Sequence, residues 1–296
     1  MLPLGLQLQL ADAAGSIGFR VLPAMHQRVR ENVRQILGSA AVQAEVERVA
    51  RQQWRNYLRY LRDFVSLPHS SQSDVERIFE HVDGWQHIVD VMGESRGLVL
   101  VSAHFGSWDL AAATMARHYP VNIIADIFSS ARFDRLVNHY RQALQLNVIP
   151  IDKVVKRTLS ALKRNESVAF LVDKPIPGDE GLEVEFFGRP TRIPAGAAFF
   201  ASRSGAPIVP AFVWRTADRA FATKVFPPIR LGRNADLGAA MQQVLRCVEE
   251  MIRTYPEQWY MFRRMWPSGD ASWEMGRGTP LTTHSPSLTT RREAVA

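Results

Sequence analysis

Residues 97–110, GLVLVSAHFGSWDL, hold a histidine and an aspartate at a spacing that suits proton transfer. An apolar run, Leu98, Val99, Leu100 and Val101, leads through Ser102 and Ala103 to His104. Phe105, Gly106, Ser107 and Trp108 then separate the imidazole from Asp109. The run has the length and β-branched content of a buried strand, and Gly106-Ser107 reads as a turn and helix cap before an alanine-rich helical pattern. His104 therefore stands at the carboxyl end of a strand, where open α/β sheets build their sites. A turn this tight lets Asp109 fold back onto one ring nitrogen and leave the other free as a general base.

The motifs that are missing narrow the chemistry. The sequence has no HExxH pair, GxSxG elbow, GxxxxGK[ST] loop or GxGxxG turn. A dedicated metal site, a serine hydrolase, a P-loop NTPase and a dinucleotide-dependent dehydrogenase all lose support. The other histidines lack a matched carboxylate. A base without a nucleophile of its own implies that the substrate supplies one. A hydroxyl deprotonated by His104 can attack an activated acyl group in one step, with no cofactor beyond the acyl donor.

Composition agrees with an anionic partner. The chain of 296 residues is 46% hydrophobic and 22% charged, with a net charge of +7. It can bury a core, and its charge favours nucleic acid, a membrane surface or a phosphorylated ligand. Cys247 is the sole cysteine, which excludes an internal disulfide and suits a reducing compartment. No stretch reaches the roughly 18 apolar residues of a membrane span. The N-terminal MLPLGLQLQLADAAG lacks a basic leader segment and reads as an apolar anchor rather than a signal peptide.

The elements that must position His104 follow from periodicity. Residues 1–66 read as apolar and basic helices that associate with a membrane, residues 67–266 as an α/β core, and residues 267–296 as a disordered tail. In the helix 41–66, Val42, Val46, Val49, Tyr57, Leu58, Leu61 and Val65 share one side. Arg48, Arg51, Arg55, Arg59 and Arg62 form a stripe on the other. The stripe is either a solvated face or one held against anionic headgroups, and the basic segment before it favours the membrane. Asp74 caps a helix that runs to about Val82. Strands are expected at 121–127, 147–151, 167–173 and 181–188, and a strand pair at 207–215 and 220–226. Helices fall between them and at 236–255. The order fits a mainly parallel sheet flanked by helices.

Four segments in order resemble a known family. HFGSWD matches the HxxxxD motif of glycerolipid acyltransferases, with His104 and Asp109 as its ends. The surrounding SAHFGSWDL, FLVDK (170–174), EVEFFGRPTRIPAG (183–196) and SGAPIVPAFV (204–213) are similar to the bacterial lipid A biosynthesis acyltransferase family. That family includes the mycobacterial phosphatidylinositol mannoside acyltransferase. The resemblance implies an α/β acyltransferase peripheral to the cytoplasmic face of the cell membrane. It implies transfer of a fatty acyl chain from acyl-carrier protein or acyl-CoA to a glycolipid hydroxyl. It carries His104 over as general base and Asp109 as its orienting partner. Asp173 falls where the mannoside acyltransferase has a site glutamate, a second acidic role. Lys174, where the family often carries Gln or Arg, joins the substrate-binding set. So do Arg189 and Arg192, which occupy the block where related enzymes bind substrate phosphate.

Residue chemistry supports part of this independently. Guanidinium groups at a strand end can grip phosphate in bidentate fashion, although arginines in a turn are also ordinarily solvated. Trp108 reads as a packing wall beside bound substrate. Phe128, Phe133, Phe199 and Phe200 can line an acyl groove or belong to the core. Two other classes stay open: a thioester hydrolase using the same pair on water, and a non-enzymatic basic membrane-binding module. The aromatic-basic motifs of RNA modules are missing, so nucleic acid is not an expected partner.

Overall fold

The structure, a computed structural model, describes residues 2–125, 130–176 and 180–266. Helices α1 (Leu4–Val21), α2 (Pro23–Leu37) and α3 (Gln43–Ser66) come first. Next come α4 (Gln72–Arg77), β1 (Phe79–Asp83), α5 (Trp85–Gly93) and β2 (Leu98–Ser102). Strands and helices then alternate through α6 (Trp108–Ala116), β3 (Val121–Ala125), α7 (Ala131–Ala143) and β4 (Leu146–Pro150). The series closes with α8 (Val154–Lys163) and β5 (Ser167–Leu171). A hairpin of β6 (Leu182–Phe186) and β7 (Arg189–Ile193) precedes α9 (Gly196–Ser204). β8 (Ile208–Ala217), β9 (Ala220–Val225) and α10 (Leu237–Thr254) complete the strands and α-helices among the described residues.

Seven strands form one sheet in the order β1-β9-β8-β2-β5-β3-β4. Every neighbouring pair is parallel except β8 with β9, so the mainly parallel sheet expected from the pattern is what forms. Alternation along β2 divides the core. Val99 and Val101 face a cluster built with α8, α9 and α10, and Leu98 and Leu100 face one built with α5, α6 and the end of α3. Period-2 side chains on a strand packed on both faces produce this two-sided burial.

Three local expectations are corrected. The helix expected from Asp74 to Val82 stops at Arg77, and residues 79–83 form β1, which pairs in parallel with β9. Its partner comes from a distant part of the chain and Gly84 (φ +74°) ends the segment, so tertiary pairing overrides local helical pattern. Arg189 and Arg192 lie on a strand, β7, paired to β6 outside the main sheet. The third correction concerns α3, whose buried residues are Val46, Val49, Ala50, Gln53, Trp54, Tyr60 and Phe64, while Val42 and Val65 are exposed. Packing on more than one side turns the apolar stripe away from the single face the wheel implies.

The same packing uses part of the arginine stripe. α1 crosses α3 so closely that a Cβ on Gly15 would lie 2.8 Å from the Arg55 Cα. Asp12 of α1 pairs with Arg55 at 2.7 Å and Arg59 at 2.6 Å. Arg62 pairs with Asp63 at 2.9 Å. These three side chains are bound within the protein, and Arg48 and Arg51 stay on the exposed face. His26 on α2 also finds a carboxylate the sequence did not suggest, Glu47, at 3.6 Å.

By its contacts, Met1–Trp266 is one compact unit. The tail 267–296 and Phe128 lie outside the described residues. Among those described, no helix is long and apolar enough to cross a membrane.

Candidate active site

Strand register builds the site. β2 and β5 pair with Ser102 opposite Leu171, and the Val172 N–H still donates to the Ser102 carbonyl at 3.0 Å. Two residues beyond that last pair, His104 and Asp173 leave adjacent strands on the same side. The His104 ring meets Asp173 with Nδ1 2.8 Å from Oδ1. The His104 backbone N–H donates to the same carboxylate, at 3.0 and 2.9 Å, and the Trp259 indole N–H donates to Oδ2 at 2.9 Å.

This corrects the pairing of His104 with Asp109: the hydrogen bond that orients the ring comes from Asp173. Asp109 starts α6 facing the other way, where it is buried and accepts a short hydrogen bond from the Tyr60 hydroxyl. Trp108 packs edge-on to His104, ring centroids 5.5 Å apart, and against Tyr60 at 4.1 Å. The HxxxxD spacing thus brings the two ends within electrostatic reach, with Trp108 between them, without a hydrogen bond joining them.

The turn between them has little freedom. Gly106 sits at φ +57°, and a Cβ there would come within 2.0 Å of the Val213 carbonyl oxygen. The Ser107 N–H donates to that carbonyl at 2.7 Å. Only glycine fits a left-handed residue pressed this close to β8.

The two buried carboxylates titrate in opposite directions. Burial alone would raise Asp173, but the His104 charge, the ring hydrogen bond, the Trp259 indole and the His104 N–H hold it below the usual carboxylate range. An ionised carboxylate can only accept hydrogen bonds, so Nδ1 is the ring nitrogen that donates to it. Nε2 has no protein partner among the described residues, and the side chain is 34% exposed. For Asp109 burial prevails, raising it against the opposing effects of Arg141, Tyr60 and His104.

Arg141, on α7, gave no signal in the sequence beyond one more helical arginine. Its charge reaches both Asp109 and Tyr60. Among the described residues its Nε and Nη1 are buried without a hydrogen-bond partner, a donor set that can meet an anion, since buried guanidinium donors are costly to leave unmet. A cavity of about 380 Å³ opens on the Asp109 side, walled by Tyr60, Phe64, Leu67, Leu110 and Phe221 and edged by Arg62 and Arg215.

The remaining candidates scatter. Lys174 is half-buried next to Asp173. Arg192 pairs with Glu183 at 3.0 Å across the hairpin, and its carbonyl accepts from the Ile176 N–H at 2.9 Å. Arg189 is exposed at the hairpin turn. Phe200 packs against Phe170 and Phe199 on the α9 side of the sheet, and Phe133 is exposed on α7. None of these phenylalanines lines the cavity beside Asp109.

The chain is 26% identical over 247 residues to the phosphatidylinositol mannoside acyltransferase of Mycolicibacterium smegmatis, covering 81% of this chain and 79% of that protein. It is 27% identical over 246 residues to the phosphatidylinositol mannoside acyltransferase of Mycobacterium tuberculosis (strain H37Rv), covering 81% and 77%. Residues 1–268 match the bacterial lipid A biosynthesis acyltransferase family. With an imidazole held at the carboxyl edge of a parallel sheet and this match along the chain, the protein belongs to that family and is an acyltransferase.

Proposed function

We propose that the protein transfers a fatty acyl chain from a thioester donor, acyl-carrier protein or acyl-CoA, to a hydroxyl of a glycolipid at a membrane surface. The acceptor is of the lipid A precursor or phosphatidylinositol mannoside type. The observation that carries this reading is the His104–Asp173 pair, with Nδ1 2.8 Å from the carboxylate and Nε2 left open. In the proposed step Nε2 takes the acceptor's hydroxyl proton as its oxygen attacks the thioester carbonyl carbon. The tetrahedral oxyanion collapses, the C–S bond breaks, and the imidazolium returns its proton to the departing thiolate. Asp173 keeps the ring in the productive tautomer and stabilises the imidazolium. Arg141 suits an anionic part of the substrates, and the cavity beside Asp109 suits the start of an alkyl chain. No resident cofactor takes part, because the donor is itself a substrate.

Membrane association in this reading runs through α1. Leu6, Leu10, Ile17 and Val21 recur at helical spacing and are all exposed, Val21 at 63%. Leu4 of the same helix reaches the cavity that contains Asp109. An apolar helix face adjoining the site would bring a lipid hydroxyl to it, from the cytoplasmic face of the membrane and without a span.

The test is transfer from an acyl thioester to glycolipid in vesicles, followed by lipid mass spectrometry. His104→Ala is expected to lose about 10²–10⁴ of the rate while still binding vesicles. Wild-type transfer by that variant ends the proposal. Thioester cleavage by the wild type without an acylated lipid assigns the pair to hydrolysis instead.

A further inference from the structure

The segment after α10 lies across the catalytic loop as a strap. The Gly106 N–H donates to the Gln258 carbonyl at 2.8 Å, and the Tyr260 N–H donates to the His104 carbonyl at 2.7 Å. Between them Phe105 and Trp259 form an isolated antiparallel bridge. Gln258 is itself locked to the Arg215 backbone of β8 by two hydrogen bonds, at 2.9 and 2.8 Å. The strap also ties to the N-terminal helices: Gln53 donates to the Pro256 carbonyl at 2.7 Å, and Asn56 to the Glu257 carbonyl at 2.9 Å.

Trp259 is the residue of this strap that reaches the acid. It is wholly buried, as is Asp173, and its indole N–H is 2.9 Å from Asp173 Oδ2. A carboxylate has two oxygens, and an imidazole aligned on one of them is only as well placed as the carboxylate is prevented from rotating. The His104 N–H reaches both oxygens. Of the side chains bonded to this carboxylate, His104 takes Oδ1 and Trp259 takes Oδ2. Directional donors around a buried carboxylate fix a catalytic histidine's orientation much as outer partners fix a metal-binding one.

We infer that Trp259 is a positioning residue for acyl transfer: its indole N–H clamps Asp173 Oδ2, so that Oδ1 holds the His104 ring and points Nε2 at the acceptor. The inference rests on His104 acting as the base. A purely packing role has a built-in comparison in Trp266, a second buried indole whose ring lies 6.2 Å from that of Trp259. Its N–H goes to the Phe186 carbonyl at 3.1 Å instead of to the acid. The ionisable groups around the pair are Asp109 and Trp108's neighbours Tyr60 and Tyr260, with Lys174 next in the chain and Arg141 beyond Asp109.

Trp259→Phe keeps an aromatic ring and removes the donor. It is expected to lower kcat about 10-fold or more with KM unchanged, and to move the acid limb of the kcat profile to higher pH. Without that hydrogen bond the His104–Asp173 pair takes up its proton more readily. Trp266→Phe is expected to leave the limb in place. In the wild-type protein the Trp259 indole proton resonance should shift with pH at the midpoint of that limb, a readout that needs no variant to fold. A flat indole resonance, a Trp259→Phe profile matching the wild type, or an equal shift in Trp266→Phe overturns the inference. If His104→Ala retains full transfer, the base assignment itself falls. If His104→Ala is inactive and Trp259→Phe behaves as wild type, only the positioning role does.

Discussion

Asp173 and Asp109 make an instructive pair. Both are buried and both feel the charge of one imidazole, yet the surroundings of Asp173 lower its pKa and those of Asp109 raise it. Asp173 lies where the backbone N–H and ring of His104 and the indole N–H of Trp259 converge on it. Asp109 has one hydroxyl, from Tyr60, and feels a guanidinium whose Nε and Nη1 have no hydrogen-bond partner among the described residues. The difference teaches that a motif residue's role is decided by the donors around it. Environments that push two carboxylates apart in pKa divide their labour. Here Asp173 bonds the histidine, and Asp109 bonds Tyr60 within reach of the Arg141 charge.

The sharpest way to break this contrast is to remove one charge at a time. Asp173→Asn is expected to lower kcat about 10³–10⁴-fold, the scale on which a misplaced tautomer disables a histidine base, with KM little changed in steady-state transfer assays. Arg141→Gln is expected to cost about 10–100-fold in kcat/KM, since one charge-assisted contact contributes about 1.5–3 kcal/mol. Equal activity with and without the guanidinium would remove it from the site.

Stability should separate the two aspartates in sign. The folded-state pKa of Asp173 lies below its ordinary 3.8, so its contribution is complete above that pH and drains as the pH falls through the folded value. Asp109 is raised above 3.8, so its contribution is complete below that pH and is lost as the pH rises through the folded value. Thermal melts should therefore show Asp173→Asn most destabilised near neutral pH and closest to wild type in acid. Asp109→Asn should gain on the wild type as the pH climbs from about 4. Parallel pH dependence in the two variants would contradict the assignment. Smallest of all, Tyr60→Phe withdraws one hydroxyl from a buried carboxylate, and chemical denaturation should report a loss of about 1–3 kcal/mol.

Much of this was legible in the chain, though unevenly. The alternation of β-branched runs with helical repeats specified a mainly parallel sheet, and His104 and Asp173 each follow such a run. Their partnership was not legible. It depends on β5 lying beside β2, which is settled by how the crossovers pack and not by any local pattern. The five-residue spacing to Asp109 invited a pairing that chain direction prevents, because α6 carries that carboxylate toward α3. Trp259 and Arg141 left no trace for a similar reason: each acts through contacts far along the chain, and each reads locally as one more tryptophan or helical arginine. The β1 strand was missed because its sheet neighbour among the described residues, β9, lies more than a hundred residues later.

The central claim is that Asp173, and not Asp109, holds the His104 ring with Nε2 bare. Nitrogen-15 NMR of the histidine side chains, recorded on the neutral imidazole, tests it directly. The account predicts an Nδ1–H tautomer with a strongly hydrogen-bonded proton that vanishes in Asp173→Asn and survives in Asp109→Asn. An Nε2–H tautomer in the wild type, or a bonded proton lost in Asp109→Asn and kept in Asp173→Asn, would contradict it.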